Sequence, residues 1–254
     1  MFISTRGLVV RSVRYRDADS MLTVLTDRLG KITVKARGAN RKNSAFLSSV
    51  QLFAFSDMVL FEKGGRYTLN EAHTTEQFEG LRQDLARMAA ASYFAEVLAD
   101  CEEEAEAGED ILRLALNVLY AAASGKYPLA QVKAAFELRY VSLSGYMPQL
   151  DVCAGCGKEL LSGYADAEDG AVYCEGCRSG HASFLPAGAL SAARHVTSCE
   201  LKKILSFPWN DETARIAGFA EKYLKTCLER GFKTLDFYHG IDPGAQTPGS
   251  GDIK

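Results

Sequence analysis

The chain has 254 residues, 47% of them hydrophobic, and a formal net charge of -3. This composition excludes a mainly disordered chain, because it is sufficient to bury the core of one large domain or two smaller ones. The sequence contains no run of about 18 uncharged apolar residues, and Met1–Thr5 lacks the basic-then-apolar order of an export signal. A cytoplasmic protein without membrane contact is therefore expected.

The positive charge is concentrated at the amino end. The first 50 residues contain ten Lys and Arg against three Asp and Glu, a net charge of +7, so the remainder of the chain carries -10. Solubility alone would be served by dispersed charge, whereas a field of one sign attracts an oppositely charged partner. The sequence therefore predicts an anionic partner, with nucleic acid as the leading candidate.

The first eighty residues have the period-two pattern of β-strands. Lys63-Gly64-Gly65 between the last two strands predicts a tight hairpin, because Gly adopts the positive φ angles that such turns require. Short strands at this spacing favour an OB-type five-stranded barrel over residues 1–80, which would close without exposed edges. The predicted strands are Gly7–Tyr15, Ser20–Thr26, Lys31–Arg37, Leu52–Phe61 and Arg66–Ala72.

The third predicted strand separates an apolar face from a basic one. Ile32, Val34 and Ala36 alternate with Lys31, Thr33, Lys35 and Arg37, so one face is predicted to be core and the other a basic ridge. The segment 38–44 has no evident apolar anchor and is predicted to be a mobile basic loop. The candidate nucleic-acid-binding residues are Arg11, Arg14, Arg16, Lys31, Lys35, Arg37, Arg41, Lys42 and Tyr15.

Aromatic residues in this region have two interpretations. Tyr15 and Phe46 are interleaved with the cations and could stack on bases, whereas Phe53, Phe55 and Phe61 are expected to fill the barrel. Phosphate contacts carry little sequence information, so binding should be indifferent to sequence and weakened by salt.

Helical periodicity begins at Leu81 and defines a predicted domain over residues 81–240. Ile111–Leu119 is apolar on nearly all sides and is predicted to be the central helix of a bundle, and further helices are expected over 187–205 and 211–230. Gly231 is expected to end the last of these in the left-handed conformation. The acidic segment 100–110 is predicted to be a solvated connector, and residues 241–254 a disordered tail.

Four of the seven cysteines form two CxxC pairs, Cys153 with Cys156 and Cys174 with Cys177, separated by seventeen residues. This spacing predicts a structural site for one Zn²⁺ ion within residues 151–180, because four thiolates fill a tetrahedron and leave no position for a reactive water. Gly155 and Gly176 are expected to permit the turns around the ion. Two alternatives are His181 replacing one cysteine and a redox dithiol. Cys101, Cys199 and Cys227 are expected to pack as small apolar side chains.

Several motifs in order resemble the RecO family of recombination mediators. They include Gly7–Thr26, Gly30-Lys31, Ala36–Ala39, Tyr93–Leu98 and the segment from Phe136 to Pro148, followed by the first CxxC with Gly157. The similarity spans residues 1–240.

The resemblance implies an α+β protein with an amino-terminal OB-fold and a helical carboxy-terminal domain that contains a zinc-binding insert. It further implies binding to single- and double-stranded DNA, annealing of complementary strands, cooperation with RecR, contact with the single-strand-binding protein, and assistance to RecA in gap repair. The family's basic OB surface matches Arg14, Lys31, Lys35, Arg37, Arg41 and Lys42.

A catalytic role is not expected. The chain has no GxxxxGK[ST] loop for a nucleotide and no histidine followed two residues later by Glu, as a zinc-dependent deaminase would need. A zinc-ribbon module of transcription or translation is a second rival, but residues 151–180 are acidic and are a poor nucleic-acid surface. A non-enzymatic DNA-binding factor is therefore predicted.

Overall fold

The amino-terminal part of the chain is a closed barrel with strand order β1-β2-β3-β5-β4. The computed structural model describes residues 1–99 and 105–241. All neighbouring strands are antiparallel except β3 and β5, which run parallel. Each predicted strand overlaps an observed one, so the predicted barrel is confirmed. The strands are β1 (Phe2–Tyr15), β2 (Asp19–Thr26), β3 (Lys31–Ala36), β4 (Phe55–Lys63) and β5 (Arg66–Glu76).

The long strand β1 closes the barrel by pairing first with β4 and then with β2. At Gly7 the two pairings overlap, and a Cβ there would lie 2.5 Å from a methyl carbon of Val24, so only Gly fits. Val9 lies in the barrel core, Leu8 and Val10 pack against the helices, and a bulge follows at Val10. The helices therefore cover β1 around Leu8 and Val10.

The hairpin between β4 and β5 has the predicted geometry. Gly64 and Gly65 have φ angles of 60° and 74°, which suit a two-residue turn, and the turn places Lys63 directly opposite Arg66. Glu62 Oε1 accepts a hydrogen bond from the Gly65 amide at 2.9 Å, which holds that carboxylate at the turn.

The segment after β3 is anchored, contrary to the prediction. Ala39 is completely buried in the barrel core, and the Asn40 side-chain amide donates to the Asp19 carbonyl at 2.8 Å and to Ser20 Oγ at 3.0 Å. The prediction that this segment has no apolar anchor was wrong, because the small side chain of Ala39 is sufficient to anchor it in the barrel core.

The three phenylalanines expected inside the barrel lie elsewhere. Phe53 is buried between the barrel and the helices, and Phe55 is half-buried against the same cluster. Phe61 lies on the outer surface and is 39% exposed. Phe46 instead packs against the barrel core. The alternation in β4 places Met58 and Leu60 inside, so its odd-numbered residues must face outward.

The remainder of the chain is mainly helical. The most completely buried helix is α3, in which every residue from Gln131 to Leu138 is buried. The predicted central segment Ile111–Leu119 lies in α2, where six of its nine residues are buried and only Arg113 is exposed. The helices are α1 (Leu85–Ala99), α2 (Ala105–Ser124), α3 (Leu129–Leu143), α4 (Ala187–Ser198), α5 (Ile216–Cys227) and α6 (Lys233–Ile241).

The region after α5 differs from prediction. The residue with a left-handed conformation is Glu229, with φ 50°, and not Gly231. Helix α6 was not predicted, although Phe232, Leu235 and Tyr238 form a buried stripe that packs it on α1. Cys199 and Cys227 are half-buried against the core, as expected. Cys101, residues 100–104 of the predicted acidic connector and residues 242–254 lie outside the described residues, whereas residues 105–110 belong to helix α2 and are not a connector.

A small antiparallel sheet of order β7-β6-β8 follows α3: β6 (Gly163–Asp166), β7 (Ala171–Tyr173) and β8 (Ser183–Leu185). Its inner side chains, such as Val172 and Leu185, belong to the main hydrophobic core. At Gly170, with φ 63°, a Cβ would lie 2.5 Å from the Tyr223 ring, so this turn sits directly on α5. The sheet therefore docks on the helices through apolar contacts.

A buried ionic cluster joins α1, α3, α5 and α6. Lys133 Nζ lies 2.8 Å from Glu137 Oε1 and 2.8 Å from Glu221 Oε2, and its side chain is only 4% exposed. The Tyr93 hydroxyl donates to Glu137 at 2.8 Å, and His239 Nε2 lies 2.8 Å from Glu221. Burial raises the pKa of Glu137 to about 7, against the opposing attraction of Lys133.

We expect the Glu221→Gln variant to be less sensitive to acid than the wild type. Burial opposes ionisation of Glu221, but attraction to Lys133 and Lys225 outweighs it and lowers the pKa from 4.5 to about 2. A carboxylate with a depressed pKa in the folded state stabilises the protein above its unfolded pKa, and this stability is lost as the pH falls through the folded pKa. Wild type should therefore lose about 3 kcal/mol from this group between those two pKa values.

The measurement is urea unfolding of both proteins across the acid range. The free energy of unfolding of the wild type should approach that of the variant as the pH falls, since the stabilising charge is then neutralised. A constant difference between the two curves would show that Glu221 does not titrate in this way.

Candidate nucleic-acid interface and metal centre

The predicted basic ridge lies on the outer face of β1, β2 and β3, beyond the part of β1 around Leu8 and Val10 that packs on the helices. Cross-strand pairing aligns Val13 with Met21, and Met21 with Lys35, on the side away from the barrel core. Arg37 follows Lys35 at the end of β3 and is exposed. Alternation along β3 therefore places both cations on the surface, as the sequence indicates.

Lys35 is the centre of a cluster of charged and aromatic groups. Its ammonium lies 3.0 Å from Asp19 Oδ2 and 5.4 Å from the centroid of the Tyr15 ring. The Arg16 guanidinium lies 5.3 Å from the same ring. A hydrogen bond from the Gly38 amide and the Lys35 ammonium lower the pKa of Asp19, so this carboxylate is ionised and balances one of the cations.

The loop after β3 begins at this cluster. The Gly38 amide donates to Asp19 Oδ1 at 2.9 Å, and the Arg41 side chain lies 3.5 Å from where a Cβ on Gly38 would be. Arg41 and Lys42 are exposed. Asp19 thus fixes the start of the loop, and the two loop cations extend the basic surface beyond Arg37.

Next to the cluster lies a groove with a volume of about 870 Å³, hereafter the basic groove. No carboxylate lines it among the described residues. Arg37 and Lys35 were predicted from the sequence, whereas Lys63 and Arg66 were not. The side chains that define it are four cations and two aromatic residues: Lys35, Arg37, Lys63, Arg66, Phe61 and Tyr67.

Lys63 and Arg66 were not predicted, although the sequence of the hairpin carries a signal for them. A two-residue turn places the flanking residues opposite each other, so the sequence Lys-Gly-Gly-Arg itself implies a pair of facing cations. Like charges directly across two strands repel each other. The Glu62 carboxylate lies at this turn but does not line the groove, so the groove side of the two cations is suited to bind an anion.

The other predicted cations are dispersed. The Lys31 ammonium donates to the Ala99 carbonyl at 3.1 Å, at the carboxy end of α1, so the structure does not bring it to the groove. Arg14 pairs in register with the buried Ser20 and lies on the opposite side of β1 from Tyr15. Arg11 lines a separate cleft of about 490 Å³ between the barrel and helices α1 and α6. Strand alternation and the bulge in β1 separate these residues.

The four predicted cysteines come together at one edge of the small sheet. Cys153 and Cys156 lie on a turn before β6, and Cys174 and Cys177 on a turn after β7. All four sulfur atoms lie within 4.8 Å of one another, and His181 is not part of the group. A Cβ on Gly155 would lie 2.9 Å from Cys177 Cβ, so Gly is required there. The left-handed residue is Gly157, with φ 74°, and not Gly176.

The geometry of these sulfurs fits a tetrahedral metal ion. Bonds of about 2.3 Å to four thiolates imply sulfur separations of about 3.8 Å. The Sγ atoms of Cys156 and Cys174 are 3.8 Å apart. The Cys174 amide donates to Cys153 Sγ at 3.2 Å, the main reason why the pKa of Cys153 is lowered to about 6. The lowered pKa favours the thiolate form of Cys153, which is the form that would ligate a metal ion.

Comparison with known proteins decides the family. The sequence model described as Recombination protein O N terminal matches residues 1–78, and that described as Recombination protein O C terminal matches residues 82–236. The chain belongs to the RecO family. A DNA repair protein RecO from Alkaliphilus metalliredigens is 34% identical over 70% of this chain and 72% of its own length.

Two further RecO relatives match nearly end to end. The DNA repair protein RecO of Anaeromyxobacter dehalogenans is 33% identical over 93% of this chain and 96% of its own length. That of Acetivibrio thermocellus is 28% identical over 95% and 98%, respectively. These matches confirm the RecO resemblance and place the chain in DNA repair and recombination. In the part of the chain that the structure describes, no helix has the length and apolar character needed to cross a membrane.

Proposed function

We propose that this RecO-family chain binds single- and double-stranded DNA through the basic groove and the adjoining Tyr15, Arg16 and Arg41. The observation that carries the proposal is the groove itself, in which four cations converge without a carboxylate among the described lining residues. Such a surface attracts a polyanion and releases its counterions on binding. Arg37, Lys63 and Arg66 have no acidic partner within the described chain and are free to contact phosphate.

Annealing follows from the same charge distribution. Two complementary strands repel each other, and cations on a shared surface reduce this repulsion while the bases stay free to pair. We propose that the protein anneals strands without nucleotide hydrolysis and, with RecR, helps RecA replace the single-strand-binding protein. It would act as a cytoplasmic, nucleoid-associated binding factor and not as an enzyme.

The proposed domain organisation follows this division of roles. Residues 1–80 would form the DNA-binding unit and residues 81–240 the helical unit, with the zinc module at 151–180. The predicted disordered tail, 241–254, lies almost wholly outside the described residues. We propose that the four cysteines hold Zn²⁺, which would fix the two turns of the module. Closed coordination by four thiolates gives such an ion a structural role.

Charge reversal in the groove provides the test. The sequence suggests Lys35 and Arg37 as targets, but Lys35 also balances Asp19, so Arg37→Glu with Arg66→Glu is the cleaner variant. We expect at least about tenfold weaker binding to single- and double-stranded DNA, with annealing lost in parallel. The slope of log affinity against log salt should fall by about 1.4 on a single strand, since two phosphate contacts are removed.

The matched control is Lys126→Glu with Lys222→Glu, which changes the net charge equally at exposed sites on the helical part. Both variants should keep the far-ultraviolet circular dichroism of the wild type. Equal DNA affinity in the groove variant and the control would remove the basic groove as the binding site. An annealing assay without nucleotide, run with and without single-strand-binding protein, tests the mediator role separately.

A further inference from the structure

Two phenylalanines form an exposed pair on the outside of the barrel. Phe2 in β1 and Phe61 in β4 are directly opposite in the strand register, and their ring centroids are 5.3 Å apart with an interplanar angle of 56°. The side chains are 61% and 39% exposed. Exposed aromatic pairs are uncommon on surfaces without a partner, because burying such rings is favourable.

The pair adjoins the basic groove. Phe61 lines the groove, and Phe2 extends the aromatic surface away from it. Register pairing continues from Phe61 to Thr68 on β5 and from Thr68 to Lys35 on β3. An aromatic end and a cationic centre therefore belong to one row of side chains that crosses the strands.

We propose that Phe2 and Phe61 form a stacking platform for unpaired bases of a nucleic-acid strand whose phosphates lie in the basic groove. This inference rests on the proposed function and deepens it by naming the preferred ligand, a strand with unpaired bases. In a duplex the bases are stacked on each other, and no base face is available for a protein ring. A single strand offers both a phosphate chain and free base faces, which match the cations and the rings, respectively.

An acidic peptide with an apolar end is the competing occupant. Peptides that bind to barrels and sheets usually add a strand to a free edge, so that their main-chain groups are satisfied. In the closed barrel β5 lies between β3 and β4, and beside the groove Tyr67 and Thr68 pair with both of these strands. At these positions no strand edge is free, which favours a ligand recognised through phosphates and flat rings.

The test separates bases from phosphates. Fluorescence anisotropy would compare an oligothymidine with an abasic strand of equal length, which keeps the phosphates but has no bases. We expect wild type to bind oligothymidine about tenfold more tightly than the abasic strand. Phe2→Leu with Phe61→Leu should weaken oligothymidine binding to the abasic level and leave abasic binding and the salt slope unchanged.

The control is Phe184→Leu with Phe237→Leu, which removes two exposed rings elsewhere, 44% and 55% exposed, and should preserve both affinities. Unchanged oligothymidine affinity in the Phe2, Phe61 variant would overturn the stacking proposal. The Arg37, Arg66 variant distinguishes this failure from failure of the proposed function. If the Phe2, Phe61 variant is unchanged but the Arg37, Arg66 variant binds both oligothymidine and the abasic strand more weakly, only the stacking proposal is wrong. If the Arg37, Arg66 variant binds both strands as tightly as wild type, the basic groove is not the DNA site.

The peptide alternative is tested with the same proteins. A fluorescent oligoaspartate ending in Phe should bind weakly and equally to wild type and to the Phe2, Phe61 variant. Peptide binding that the two substitutions abolish, with oligothymidine binding intact, would overturn the proposal in favour of a peptide site.

Discussion

Replacing Cys153 and Cys156 by serine is expected to abolish metal binding at the proposed four-cysteine site and to lower the melting temperature by about 10 °C or more. Metal binding by four thiolates contributes about 10 kcal/mol or more to folding of a segment as short as residues 151–180. The loss would extend beyond the module, because Leu160, Val172 and Leu185 pack in the main core.

Metal content by mass spectrometry and thermal unfolding with and without a chelator measure this effect. The matched control is Cys199→Ser with Cys227→Ser, since these half-buried cysteines lie outside the cluster. The control should retain one equivalent of zinc. A Cys153, Cys156 variant with unchanged metal content and melting temperature would refute a structural metal. DNA affinity of the folded variant should persist, because the basic groove lies on the barrel.

Lys133→Ala is expected to destabilise the protein by about 3–5 kcal/mol. Lys133 neutralises Glu137, which is completely buried, and shares Glu221 with Lys225 and His239. Removing the ammonium leaves Glu137 in an apolar surrounding with Tyr93 as its remaining hydrogen-bond donor in the described chain. Without Lys133, the buried Glu137 must either carry an uncompensated charge or take up a proton, and either change is more costly than the loss of an ion pair on the surface.

Urea unfolding would measure this loss against two companion variants. Lys225→Ala removes a partner of Glu221 that is 39% exposed, and we expect a cost below about 1 kcal/mol. Lys133→Met with Glu137→Met removes both buried charges, and most of the stability should return because no unpaired ion is left. A Lys133→Ala variant no less stable than Lys225→Ala would contradict this account of the cluster.

Local sequence patterns were sufficient to predict β3 and the cysteine cluster, because each depends on neighbouring residues in the chain. Alternation in β3 identified its core face and its basic face, because a strand has only two sides. The CxxC spacing identified the four cysteines, because two intervening residues allow paired thiolates to reach one ion. Helix α6 and the small sheet were missed because both are short, and their stability comes from apolar contacts with distant segments.

The individual roles of the cations depended on the packing of whole elements. Lys31 and Lys35 have the same residue type and the same face of β3, yet one contacts the end of α1 and the other Asp19. Phe61 is a large apolar residue of the kind found in cores, but it lies outside the barrel. Side chains alternate along β4, so the residue after the inward-facing Leu60 faces outward. Charge and hydrophobicity do not specify which part of a strand a neighbouring domain covers.

By itself, the sequence determined the barrel, the helical part, the cysteine cluster and the family, because these depend on periodicity, spacing and motif order along the chain. The tertiary structure decided which cations share a groove, that Lys63 and Arg66 join them, and that Phe2 and Phe61 are exposed beside it. The physical reason is that strand pairing brings residues far apart in the chain to within a few ångströms, and helix docking determines which of them remain accessible to a ligand.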